Sequence, residues 1–144
     1  MPALVTLAQV EAYLSSPVVV DTLDDDNDET IDTVAKDQVI ADASAMFLAT
    51  ARSIYETPLV APIDPFVVTV VLHLVHCQLT KRFPERFRTG LTVCEDAKEL
   101  LKGIRNGDYQ LDHARRAETG SPMCDSWEAR GYEAIEHTRA SNDE

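Results

Sequence analysis

Residues 64–82 read DPFVVTVVLHLVHCQLTKR, the most apolar stretch of the chain, and the choice between helix and strand here decides the fold. Val67, Val68, Val70 and Val71 favour a strand by propensity, because β-branched side chains lose rotamer freedom against a preceding helical turn. The polar residues decide otherwise. Thr69, His73, His76 and Thr80 follow one another at four, three and four residues, which lines them up along a 3.6-residue period, whereas a strand would scatter them over both faces. The stretch is therefore expected to be a helix, about 27 Å long at 1.5 Å per residue, carrying one narrow polar stripe. Asp64 suits its N-cap and Pro65 its first position, while Lys81 and Arg82 complement the negative end of the helix dipole. The uninterrupted apolar run is shorter than the roughly 20 residues a bilayer demands and carries two histidines, so no membrane contact is expected.

Working backwards, residues 56–65 read ETPLVAPIDP, and the three prolines allow only a stiff, extended connection. The segment before it, from Asp32 or Thr33 to about Tyr55, is amphipathic, with Val39, Ala43, Met46, Phe47 and Ile54 on one side. Its many alanines allow a neighbouring helix to approach closely. Thr6 and Gln9 have capping-box spacing ahead of Leu7, Val10, Tyr13 and Leu14, which predicts a first helix over about 6–15, closed by Pro17. Forwards, Thr92 and Glu95 give a second capping box before Val93, Ala97, Leu100, Leu101 and Ile104, with Asn106 and Gly107 as the stop. Beyond Leu111, few aliphatic residues are available to build a core. Residues 112–144 are therefore expected to be an extended tail ordered by a partner, with one short helix at about 125–139 anchored by Trp127, Tyr132 and Ile135.

The 144 residues suit one domain, and 44% hydrophobic residues suffice for a modest core. Thirteen Lys+Arg against 25 Asp+Glu give a net charge of −12, which disfavours a grip on nucleic acid that depends on neutralising phosphates. The one basic cluster lies at 82–88, where Phe83, Arg86, Phe87 and Arg88 form a candidate loop for a protein partner or a passing polyanion. Nothing near the N-terminus resembles a signal peptide. Three cysteines without paired spacing point to reduced thiols rather than a disulfide frame.

The chemical motifs are sparse. No nucleophile elbow, phosphate-binding glycine loop or paired metal signature is present, so neither catalytic residues nor cofactors are expected. Six of residues 24–32 are acidic, and Asp24, Asp26, Asp28, Thr30 and Asp32 alternate like the ligands of a calcium-binding helix-loop-helix. Glu29, however, stands where a glycine makes the turn, and Ala35 where a bidentate glutamate closes the shell, so a solvated loop is expected. His73, His76 and Cys77 could meet a metal only with a further ligand such as Cys94, and the stripe Thr69, His73, His76, Thr80 reads instead as the edge of a subunit interface.

The order of these pieces resembles the small head-tail connector, or head completion adaptor, proteins of tailed viruses, including the Mu-like adaptor group. Three segments carry the resemblance: Val39 to Ala45 after the acidic loop; Tyr55-Glu56-Thr57-Pro58-Leu59 followed by Pro62 and the apolar helix; and Ala97, Leu100, Leu101, Ile104, Gly107 and Leu111. The resemblance implies an all-α chain, with a small four-helix connector domain over 1–111 built on a long central apolar helix, and a C-terminal extension over 112–144. It further implies a non-enzymatic virion protein of the neck, a dodecameric ring of identical copies seated beneath the portal protein and offering a surface to the next neck or tail component. DNA would pass through the lumen without specific binding, and the tail residues Trp127, Tyr132 and Ile135 would reach the portal or a neighbouring subunit. The long tail and strong acidity depart from the family pattern. The reading from another class is a small acidic helical protein-binding module or regulator.

Overall fold

The computed structural model describes residues 3–88, 90–112 and 114. Within them the chain forms five helices and no strand: α1 (Leu7–Leu14), α2 (Ser16–Leu23), α3 (Thr33–Ala51), α4 (Pro65–Arg82) and α5 (Gly90–Asn106). The all-α class expected from the periodicity is what the chain adopts. α4 packs against α5, α3 and α1, while α1 also meets α2 and α3 also meets α5. No helix among the described residues is long and apolar enough to cross a membrane.

The capping box at Thr6 forms. The Thr6 amide donates to Gln9 Oε1 at 2.8 Å, and the Gln9 amide donates back to Thr6 Oγ1 at 3.4 Å. Pro17 does more than end this helix. A proline in the interior would lose a hydrogen bond and clash, but in a first turn its missing donor and fixed φ cost nothing. Ser15 turns through a positive φ of 76°, and α2 then starts with Pro17 in its first turn. Residues 18–20, beyond the proline expected to close the first helix, are thus helical, and Val19, Thr22 and Leu23 are buried. Thr22 satisfies its hydroxyl by donating to the Val18 carbonyl at 2.8 Å.

α3 buries Val39, Ala43 and Phe47 as expected, but Met46 lies 40% exposed, so the packed face is rotated toward Ile40, Ser44 and Leu48. The Leu4 amide donates to the buried Ser44 hydroxyl at 3.2 Å, which pins the segment preceding α1 onto α3. α3 ends at Ala51, short of the expected Tyr55. Thr50 donates to the Met46 carbonyl at 3.3 Å, the one-turn-back bond that lets a threonine sit in a helix at little cost.

α4 is the helix expected from its polar spacing. Asp64 Oδ1 accepts from the Phe66 amide at 2.8 Å, and Val67, Val70, Val71, Leu74, Val75 and Leu79 are buried. The same carboxylate accepts from the Asp112 amide through Oδ2 at 3.0 Å. One cap therefore starts α4 and also holds the backbone at Asp112. Tyr55 assists from the end of α3: its hydroxyl accepts from the Leu111 amide at 3.2 Å and donates to the Tyr109 carbonyl at 3.4 Å.

α5 begins at Gly90, ahead of the expected capping box, so Thr92 lies inside the helix rather than at its cap. The early start has a packing reason. A Cβ at Gly90 would overlap the Thr80 side chain, so the absence of a side chain lets α5 begin in direct contact with α4. The far end matches expectation. Gly107 has φ 82°, its amide donates to the Ile104 carbonyl at 3.1 Å, and the Asp108 amide donates to the Gly103 carbonyl at 2.9 Å, the two bonds of a Schellman motif.

The cysteines overturn the expectation of reduced thiols. Cys77 on α4 and Cys94 on α5 form a disulfide, with Cα atoms 4.9 Å apart. Their separation of 17 residues carries no motif, because helix pairing and not local spacing brings them together. The expected short helix at 125–139, with Trp127, Tyr132 and Ile135, lies outside the described residues.

Candidate functional site

The polar stripe of α4 does not stay on one kind of surface. Thr69 is exposed and donates to the Pro65 carbonyl at 3.0 Å; His73 is half-buried; His76 is 9% exposed and Thr80 3% exposed. Thr80 lies beneath Gly90 and donates to the His76 carbonyl at 2.9 Å. The stripe thus starts in solvent and ends inside the domain, and only its Thr69–His73 half remains open to a second chain. Sequence periodicity lines up side chains on a helix, but which of them a neighbouring element covers depends on where α5 lands.

The two histidines join an aromatic cluster. The Tyr13 ring, from α1, lies 5.8 Å from His73 and 5.9 Å from His76, and the Phe87 ring lies 5.0 Å from His76. His73 Nδ1 and both nitrogens of His76 are buried without a hydrogen-bond partner among the described residues. Burial, and then the charge of His73, holds the His76 pKa below the ordinary imidazole value. Burial, and then the negative charge of Asp96, pushes the Tyr13 phenol up.

The basic cluster is tied down from within. Arg82 pairs with Asp25 of the acidic loop at 2.6 Å, Arg86 pairs with Asp21 of α2, and both guanidinium groups lie over the Phe83 ring at 5.9 and 5.8 Å. Exposed pairs of this kind contribute only ~0–1 kcal/mol each, but they fix the path of residues 83–88 and offset the charge that an acidic partner would meet. Of the four candidate loop residues, Arg86 is ion-paired, Phe83 and Phe87 are half-buried, and Arg88 is exposed.

The acidic loop takes a defined shape. Asp24 accepts from the Asp28 amide at 3.2 Å and the Glu29 amide at 2.9 Å, while Asn27 and Glu29 adopt positive φ of 58° and 64°. Glu29 thus adopts the left-handed backbone that a glycine would adopt without strain. Ligand oxygens of Asp24, Asp26 and Asp28 lie within 4.8 Å of one another, the only such grouping of three or more ligand-type side chains among the described residues. His73, His76, Cys77 and Cys94 do not form one, and the disulfide occupies both sulfurs. The charge of Asp28 pushes the Asp26 carboxyl up, whereas hydrogen bonds from Thr30 hold Asp28 down. Ala35, where a closing glutamate would be needed, is buried in the first turns of α3.

Sequence reasoning missed an open cleft of about 590 Å³ lined by His73, Asp96, Glu99, Lys102, Asp108 and Tyr109. Tyr109 stacks on Phe66 at 5.0 Å and covers Gly103, where a Cβ would come within 2.5 Å of its ring. The signal was the pair Gly103 and Tyr109: an aromatic two residues past the stop at Gly107 folds back onto the last turn when a glycine six residues before it leaves room. Nothing in this geometry aligns a nucleophile with a base among the described residues. No protein-family model matches this chain, and no curated protein matches it either.

Proposed function

We propose that the chain is a structural protein of the neck of a tailed virus, a small helical head-tail connector that forms a ring with copies of itself beneath the portal and receives the next neck or tail component. The order of the three segments at 39–45, 55–62 and 97–111 carries the reading. It is supported by their mutual packing, since Tyr55, at the exit of α3, hydrogen-bonds the Leu111 amide and the Tyr109 carbonyl at the exit of α5. On this reading the connector domain ends at Leu111, and the extension over 112–144, with Trp127, Tyr132 and Ile135, reaches a neighbouring copy or the portal. The open half of the stripe, Thr69 and His73, borders the contact between copies. The protein performs no catalysis, and the negative lumen of the ring lets DNA slide past without specific binding.

Mass photometry of the purified protein alone and mixed with its portal, followed by cryo-EM of the mixture, tests the reading. A discrete ring, or a portal-bound ring, is expected. A monomer that ignores the portal at micromolar concentration would overturn it, and a folded monomer that binds an unrelated protein would favour the acidic binding-module reading instead.

A further inference from the structure

His76 is the more deeply buried of the two histidines on α4. It is 9% exposed, and its ring lies against Tyr13 of α1, edge-on at 5.9 Å, and Phe87 of the arm that leaves α4, at 5.0 Å. Neither ring nitrogen has a hydrogen-bond partner among the described residues. A neutral imidazole tolerates such a place, but an imidazolium must satisfy two donors and a charge, and no described acceptor is within hydrogen-bond reach of either nitrogen.

We propose that His76 is a proton-operated latch on α4: its neutral ring keeps α1 and the 83–88 arm packed against the helix, and its protonation releases them. The groups around it cannot host the charge. On α4 itself the nearest titratable group is His73, which is cationic when protonated and repels a second charge. From α1 comes the Tyr13 phenol, itself pushed up and so neutral at working pH. From α5 comes Asp96, whose charge bears on Tyr13 and which borders the cleft beside His73, while Cys94 is uncharged in its disulfide. From the arm comes the Phe87 ring, and the adjacent Arg86 is engaged by Asp21 of α2. Opening α1 and the arm gives the imidazolium water and restores an ordinary titration.

The direction follows from linkage. The closed form has a His76 pKa below the ordinary 6.5, so below pH 6.5 the open form binds more protons. The closed form is fully favoured above 6.5 and loses ground as pH falls toward the closed-state pKa. Between pH 7.5 and 5.5 the opening equilibrium rises by up to about tenfold, the ceiling set by an open-state imidazole of ordinary pKa. What the release uncovers is the face of Phe87 and the underside of α1, whatever partner the protein has, so the latch stands or falls separately from the ring.

Amide hydrogen exchange of the full chain by mass spectrometry, corrected for the intrinsic pH dependence of exchange, reads the opening in peptides covering α1 and residues 83–88. The wild-type protein is expected to show a rise as pH falls from 7.5 to 5.5, of at most about tenfold. His76→Phe, and His76→Gln as a second non-titrating variant in case the first misfolds, should stay closed across that range, while His73→Phe keeps most of the response. A flat wild-type profile, or an acid response that survives in both His76 variants, overturns the latch.

Discussion

Breaking the Cys77–Cys94 bond is the most discriminating perturbation of this fold. The disulfide closes a loop of 17 residues that contains the end of α4, the arm and the start of α5. In the chain-entropy treatment a loop of this length removes about 10 cal/mol/K from the unfolded ensemble, or about 3 kcal/mol at 25 °C. That is a large share of the ~5–15 kcal/mol by which a domain is stable. Reduction of the wild-type protein is cleaner than mutation, because Cys77 and Cys94 are 6% and 8% exposed and truncating them would also leave a void. Urea unfolding with and without a phosphine reductant should differ in midpoint by roughly 1.5 M, for an m-value of about 2 kcal/mol/M. In a thermal scan the same loss corresponds to roughly 10 °C for a chain of this size. Thiol titration of denatured, unreduced protein gives an independent count: one reactive thiol of the three cysteines is expected, that of Cys124. Three reactive thiols, or coincident urea curves with and without reductant, would refute the reasoning.

Two further substitutions test how α4 is held. Gly90→Ala raises helix propensity by about 1 kcal/mol yet should destabilise by about 1–3 kcal/mol, because its Cβ overlaps Thr80; denaturant unfolding reads the sign, and Thr80→Ala in the same chain should recover part of the loss. A stabilised Gly90→Ala protein would show that α5 does not approach α4 so closely. Asp64→Ala removes both the cap on Phe66 and the bond to the Asp112 amide, so it should cost about 1–2 kcal/mol and speed amide exchange at both positions. Faster exchange at Phe66 alone would show that the exit strand is held by Tyr55 and not by the cap.

Much of the candidate site was only partly legible in the sequence. The stripe Thr69, His73, His76, Thr80 was visible as spacing, but whether each member faces water depends on α5, which covers Thr80 through Gly90 and leaves Thr69 exposed. The cluster Phe83, Arg86, Phe87, Arg88 was visible as the only basic run, but its pairing with Asp21 and Asp25, more than 50 residues earlier, was not. The lack of a glutamate at Ala35 was visible in the sequence, while the left-handed turn at Glu29 was not foreseen, because a long side chain argues against positive φ. α2 was missed because Pro17 was read only as a terminator, though a proline is equally at home in a first turn.

The sequence by itself determined the helical class, the extent and cap of the central helix, the capping box at Thr6 and the stop at Gly107. Each of these is a local matter, settled by periodicity, by a side chain's reach to an amide a few residues away, or by the φ range a residue tolerates. The tertiary structure alone decided that Cys77 bonds Cys94, that α5 starts at Gly90 against Thr80, that Asp64 also holds Asp112, and that His76 lies between Tyr13 and Phe87 without a hydrogen-bond partner. Those pairings join residues up to 63 positions apart, and no local preference can encode which surfaces meet once helices pack. That outcome depends on how the whole set of apolar faces is buried at once.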